Sequence, residues 1–252
     1  MLIETKRIKS GIFGFDELIE GGIPEGWTVL LVGGPGVGKS IFGMHFIYKG
    51  AMNYSDPGLY LSFEETPTEI MRNMSTFGWD IQQLEKENKM KILSLLAIEE
   101  SDLIQQQFGF TDEEGDVIPL EISRIETQIK EAVKEIKAKR IVIDSIASFA
   151  TTVEGQFETR STIRRLVNII RELGCTAIMT TECPVGSETI TRFGIEEFLT
   201  QGLVLLQSEE NTRMLQILKM RGTKIKEGRY MYEITDDGVI IHPELKLQYT
   251  QK

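Results

Sequence analysis

Residues 33–40 read Gly33-Gly34-Pro35-Gly36-Val37-Gly38-Lys39-Ser40. They follow the apolar run Thr28 to Val32 (TVLLV) and open a helical pattern from Lys39 to Tyr54. A G-x-x-x-x-G-K-[ST] loop needs this setting, because backbone N–H groups and a helix N-terminus must converge on one anion. Its glycines let the backbone turn tightly and approach that anion. The expected ligand is the phosphate chain of ATP or ADP, bound by Gly33, Gly34, Pro35, Gly36, Val37, Gly38, Lys39 and Ser40, with Ile41 next in the helix. Lys39 is expected to reach the β- and γ-phosphates and Ser40 to ligate Mg²⁺.

The rest of the chain repeats that strand–helix rhythm. Gly58 to Phe63, Met90 to Leu95, Arg140 to Ile143 and Cys175 to Thr180 read as further strands. Most are apolar without alternation, as strands covered on both faces are; MKILSL fits less cleanly and suits an edge. Glu121 to Lys139, Ser161 to Leu173 and Thr66 to Phe77 carry apolar residues at helical spacing, with Thr66-Pro67 as N-cap and N1 and Gly174 just past a helix end. Alternation of this kind predicts an α/β fold with a mostly parallel sheet and helices on both faces. Gly202 to Gln207, Arg213 to Lys219, Tyr230 to Ile234 and Val239 to Ile241 are closely spaced and predict an antiparallel extension. The acidic, Gln-rich segment Ser101 to Asp116 is expected as a surface loop. A single domain over 1–252 is the economical reading.

A phosphate loop needs an acid for its metal. Asp144 closes the RIVID segment, where a carboxylate can orient Mg²⁺ or its waters; it could also cap the segment that follows. Hydrolysis needs a group that orients or deprotonates water. Glu64 and Glu65 lie at the end of the GLYLSF strand, where ligands of open α/β sheets gather. Adjacent acids point in different directions, so one base is expected. Helix-dipole compensation accounts for Glu65 better than for Glu64.

The formal net charge of −10 disfavours nucleic acid and anionic lipid unless basic residues are segregated. The runs Lys134 to Arg140, Arg160 to Arg165 and Lys219 to Arg229 are short and mixed, and are expected as solvated faces and interface charges. An extended segment from Cys175 to Cys183 would span roughly 26 Å, too far for a disulfide, so both are expected as free thiols. No leader pattern and no apolar run of roughly 18 residues is present, which predicts a cytoplasmic protein without membrane insertion. His45, His242, Trp27 and Trp79 are expected to be structural.

Seven segments resemble the KaiC-like branch of the RecA/RadA ATPase superfamily. They are Ser10 to Ser40, YLSFEETP (Tyr60 to Pro67), FGWD (Phe77 to Asp80), RIVIDS (Arg140 to Ser145), MTTE (Met179 to Glu182), GIEEFLTQGLVLL (Gly194 to Leu206) and LKMRGT (Leu218 to Thr223). The resemblance implies a RecA-type core with strand order 3-2-4-5-1-6-7-8 and a homo-oligomeric ring, usually a hexamer, with ATP between subunits. It implies catalytic roles for Glu64 and Glu65. It also implies that Lys219 and Arg221, with Met220 and Thr223 beside them, reach the γ-phosphate of a neighbouring subunit. The K-x-R spacing itself places both cations on one strand face; a basic edge strand is the alternative to that role. The family's tandem clock proteins carry two P-loops and this chain has one. A Ser-Thr pair of their phosphorylated half is replaced here by Glu197-Phe198, which argues against autokinase activity. Three functions remain open: a ring-forming regulatory ATPase, a RadA-like DNA recombination or repair ATPase, and a slowly hydrolysing or non-hydrolysing assembly switch.

Overall fold

The computed structural model describes residues 5–95, 110–111, 117–118, 120–150, 156–183, 189–209 and 212–247. Its organising element is a nine-stranded sheet. In chain order the described elements are β1 (Arg7–Ile8), a 3₁₀ turn (Asp16–Ile19), β2 (Ile23–Pro24), β3 (Thr28–Gly33), α1 (Lys39–Tyr54), β4 (Gly58–Ser62), α2 (Pro67–Ser75) and α3 (Ile81–Lys86). There follow β5 (Met90–Ser94), β6 (Phe110–Thr111), β7 (Val117–Ile118), α4 (Leu120–Ile136), β8 (Arg140–Asp144), α5 (Ile146–Ala150), α6 (Gln156–Glu172) and β9 (Thr176–Glu182). The chain continues through α7 (Glu196–Leu199), β10 (Gly202–Glu209), β11 (Thr212–Met220), β12 (Arg229–Thr235) and β13 (Gly238–Leu247).

The sheet runs β13-β12-β11-β10-β3-β9-β8-β4-β5. Counted in chain order from β3, this is the expected RecA-type order with one further strand, β13, at the far edge. The pairings from β5 through β10 are all parallel, and β11, β12 and β13 attach antiparallel. Every residue of β3, β4 and β8 is buried, as both-face coverage requires. The mixed pattern of MKILSL has its cause in position, because β5 is the edge.

Successive side chains of a strand face opposite sides, and β3 shows the consequence. Val29 and Leu31 join a core with Phe42, Phe46 and Ile47 of α1, while Leu30 and Val32 join one with Ile129 of α4 and Leu166 and Ile170 of α6. The helix α2 starts as expected: Thr66 caps it reciprocally with Glu69, and Pro67 is its first residue. Gly174 adopts φ 67° after α6.

Two expectations change. Arg140, placed by the sequence in a solvated basic run, is fully buried. As the first residue of a central strand it cannot reach water. Its guanidinium instead donates to Asp56 Oδ2 (2.9 Å) and the Phe46 carbonyl (3.0 Å), and lies over the Phe46 ring. Gly50 makes room: a Cβ there would sit 2.4 Å from Arg140 Nε. Arg165, in another of those runs, forms an ion pair with Glu126. Within the segment expected as a loop, Phe110–Thr111 pairs with Val117–Ile118 in a two-residue antiparallel ladder; the remainder of Ser101 to Asp116 lies outside the described residues.

His45 and Trp79 are core residues, as expected of structural side chains; their rings lie 5.3 Å apart. His45 Nδ1 accepts the Val239 N–H at 3.0 Å, which ties α1 to β13. Burial, with Lys49 nearby, lowers the His45 pKa from 6.5 to about 4. The unfolded chain therefore takes up this proton first on acidification, so stability falls as pH drops from 6.5 towards about 4. The shift corresponds to about 3 kcal/mol. A His45→Gln chain keeps an acceptor for Val239 and cannot titrate. Urea unfolding at stepped pH should show a shallower loss of stability in that variant.

Candidate nucleotide site

The glycine-rich loop joins β3 to α1 at the carboxyl end of the parallel strands. Its glycines divide the work. A Cβ at Gly34 or Gly36 would meet nothing within 4 Å, so these face open space. Gly36 (φ 73°) and Gly38 (φ 91°) occupy the left-handed region that glycine tolerates. Gly33 is packed underneath, where a Cβ would lie 2.7 Å from the Leu206 carbonyl oxygen. The loop thus offers an open backbone concavity at the N-terminus of a 16-residue helix, a fit to phosphate.

Lys39 Nζ donates to the Gly33 and Gly34 carbonyls, both at 2.9 Å. Burial lowers its pKa, opposed by Asp144, Glu182 and Glu64. The ammonium is thereby held across the loop mouth among carboxylates.

Asp144 ends β8 beside Ser62 at the end of β4. Both its oxygens are oriented by buried hydroxyls: Tyr60 donates to Oδ2 (2.6 Å) and Thr180 to Oδ1 (2.5 Å). Burial, then Asp144, pushes the Tyr60 pKa far up, so the phenol stays protonated; it also interacts with the Ser40 side chain. Ser40 and Asp144, the residues named from sequence for Mg²⁺, are therefore brought together through Tyr60. Among the described residues no group of three His, Cys, Asp or Glu could hold a metal. An ion here would depend on nucleotide phosphates and water for most of its ligands, the usual habit of Mg²⁺.

Glu64 and Glu65 turn to different partners. Glu64 accepts from Ser145 Oγ, the residue after Asp144, and from Ser148 Oγ in the following helix, each at 2.5 Å. Glu65 accepts from Asn73 of α2 at 2.7 Å. Burial, Asp144 and Glu69 raise the Glu65 pKa. Glu64, not Glu65, is among the charges that act on Lys39.

Lys219, Met220, Arg221 and Thr223 lie elsewhere. Met220 pairs with Gly202, and Gly202 with Val29; Arg221 N–H bonds to the Gln201 carbonyl and Gln201 N–H to that of Thr28. They therefore stand at the amino end of β3, and from Thr28 to Gly33 the strand runs about 17 Å. Lys219 Nζ donates to the Glu197 and Thr200 carbonyls at 2.6 Å, and Arg221 reaches the Phe198 carbonyl at 3.5 Å. Both cations thus address the α7 turn. The fold keeps them away from their own P-loop. Thr223 Oγ1 accepts from Arg7.

A profile described as "ATPase: KaiC" matches residues 8–246. The chain belongs to the KaiC ATPase family. It is 37% identical over 247 residues to UPF0273 protein MJ1359 of Methanocaldococcus jannaschii, covering 96% of this chain and 99% of that protein. It is 33% identical to the circadian clock oscillator protein KaiC of Prochlorococcus marinus subsp. pastoris, covering 99% of this chain and 48% of that one. The chain thus spans about half the length of its clock-protein relatives. The crystal structure of KaiC-like protein PH0186 from Pyrococcus horikoshii OT3 superposes with TM-score 0.81 at 39% identity, covering 95% of this chain and 100% of that one.

Reasoning from sequence alone assigned no site role to Tyr60 or Thr180. Each carried a signal: a tyrosine inside a buried strand must find a partner for its hydroxyl, and MTTE puts hydroxyls at the carboxyl end of a strand. Among the described residues no helix is long and apolar enough to cross a membrane, and both cysteines are free.

Proposed function

We propose that this KaiC-family chain is a Mg²⁺-dependent ATPase that works as a homo-oligomeric ring, a hexamer, in a regulatory or signalling role. The observation that carries the reading is the division of charge. Lys39, Asp144 and Glu64 gather around the phosphate loop, while Lys219 and Arg221 stand at the opposite end of the strands. A complete phosphoryl-transfer site needs cations on the γ-phosphate beyond the P-loop lysine, and a second copy can supply them.

Within one subunit Lys39 binds the β- and γ-phosphates, and Glu64, fixed by Ser145 and Ser148, orients the attacking water and receives its proton. Ser40 and Asp144 would hold Mg²⁺, which neutralises charge on the phosphates. Glu65, with its raised pKa, supports the same end of β4 through Asn73.

Phosphate release measured with Mg²⁺ and with a chelator tests the reaction, and mass measurement with ATP tests the ring. Expected are metal-dependent turnover and a particle six times the 28.6 kDa protomer. A ring that binds ATP without turnover would favour an assembly switch. Tight single-stranded DNA binding at about 0.15 M salt would favour a recombinase. A monomer with full turnover would remove the shared site.

A further inference from the structure

The P-loop is touched from a side that the reaction does not use. Tyr232, on β12, is 2% exposed and donates its hydroxyl to the Val37 carbonyl at 2.5 Å. Two residues along the same strand, Ile234 lies over Gly38, with its Cδ1 2.6 Å from where a Cβ would be. The antiparallel extension therefore supports the loop at two successive residues, one polar contact and one apolar.

The consequence follows from peptide geometry. Among the described residues the one cis peptide is Asp144–Ser145, so the Val37–Gly38 peptide is trans. In a trans peptide the C=O and the following N–H point in opposite directions across a rigid plane. The Val37 oxygen is directed into the protein, onto a buried phenol. The Gly38 N–H is consequently directed to the opposite side of that peptide plane, away from Tyr232. Glycine at φ 91° could otherwise let this peptide rotate, since Gly38 has no side chain to restrain it.

We propose that Tyr232 is a positioning residue for the phosphate cradle: by holding the Val37 carbonyl it presents the Gly38 N–H to a nucleotide phosphate. This rests on the nucleotide reading above. The contact acts on the loop and not on the γ-phosphate or the metal, so it serves diphosphate and triphosphate alike. It also makes the C-terminal strands part of the binding site, although no residue of β12 need touch the ligand.

Tyr232→Phe keeps the ring in the core and removes only the hydroxyl. ADP, ATP and inorganic pyrophosphate would be titrated calorimetrically into wild-type protein and the variant, with and without Mg²⁺, below the melting temperature of both. All three ligands should bind about tenfold more weakly to the variant, by a similar factor with and without the metal. Tyr230→Phe is the control, because Tyr230 bonds to the Glu227 carbonyl away from the loop; its affinities should match wild type. Wild-type affinity in Tyr232→Phe, even with a lowered melting temperature, would show a purely structural bond and overturn the inference while leaving the nucleotide reading intact. Loss confined to ATP would overturn it too. Failure of the wild-type protein to bind any of the three would remove the nucleotide reading and this inference with it.

Discussion

Replacing Arg221 with alanine should leave much of the ATP affinity and remove most of the turnover, by a factor of about 10³–10⁵ if it acts as an arginine finger. The register places Arg221 level with Thr28, at the far end of the strand that feeds the P-loop. It cannot stabilise its own γ-phosphate from there, and the ground-state contacts of the loop survive its loss. Glu64→Gln should be equally inactive for a different reason: the amide cannot accept the proton of the attacking water. Mixing the two inactive proteins gives the decisive measurement. Where subunits exchange, some interfaces combine an intact Glu64 with an intact Arg221, and phosphate release should recover in part. No recovery despite demonstrated exchange would count against a shared site. Full activity of Arg221→Ala alone would dismiss the finger.

Lys39→Ala should abolish saturable, Mg²⁺-dependent ATP binding. The ammonium is held by two loop carbonyls at 2.9 Å and is partly buried, so it stands ready to turn to phosphate without a long search. Removing it leaves the phosphate charge facing Asp144 and Glu64 without the loop's own cation to offset them. Each charge-assisted hydrogen bond lost is worth about 1.5–3 kcal/mol, so two lost bonds weaken binding by at least about 10²-fold. Unchanged affinity in a titration would sink the P-loop assignment. Because Lys39 opens α1 and its side chain leaves the core untouched, the variant should melt near the wild-type temperature, which separates loss of binding from loss of fold.

Much of this was legible in the residues because it depends on neighbours in the chain. The loop between β3 and α1 announces itself, since a phosphate cradle needs glycines at fixed spacing directly before a helix start. The buried strands were visible as unbroken apolar runs, and α2 as Thr66-Pro67 with Glu69 in place to complete its cap. The strand order came from resemblance, since apolar periodicity says that a strand is buried and not which strand lies beside it.

What only the tertiary structure decided are contacts between residues far apart in sequence. Arg140 read as one more solvated cation; its burial depends on Asp56, Phe46 and the missing side chain of Gly50. Tyr60 and Thr180 became the holders of Asp144 because β4, β8 and β9 are neighbours in the sheet. Tyr232 reaches Val37 across 195 residues of sequence, and nothing local to either marks that bond. The distinction is physical. Backbone conformation and amphipathic pattern are set by residues a few positions apart, whereas the partner of a buried hydroxyl or guanidinium is set by which strands the fold lays side by side.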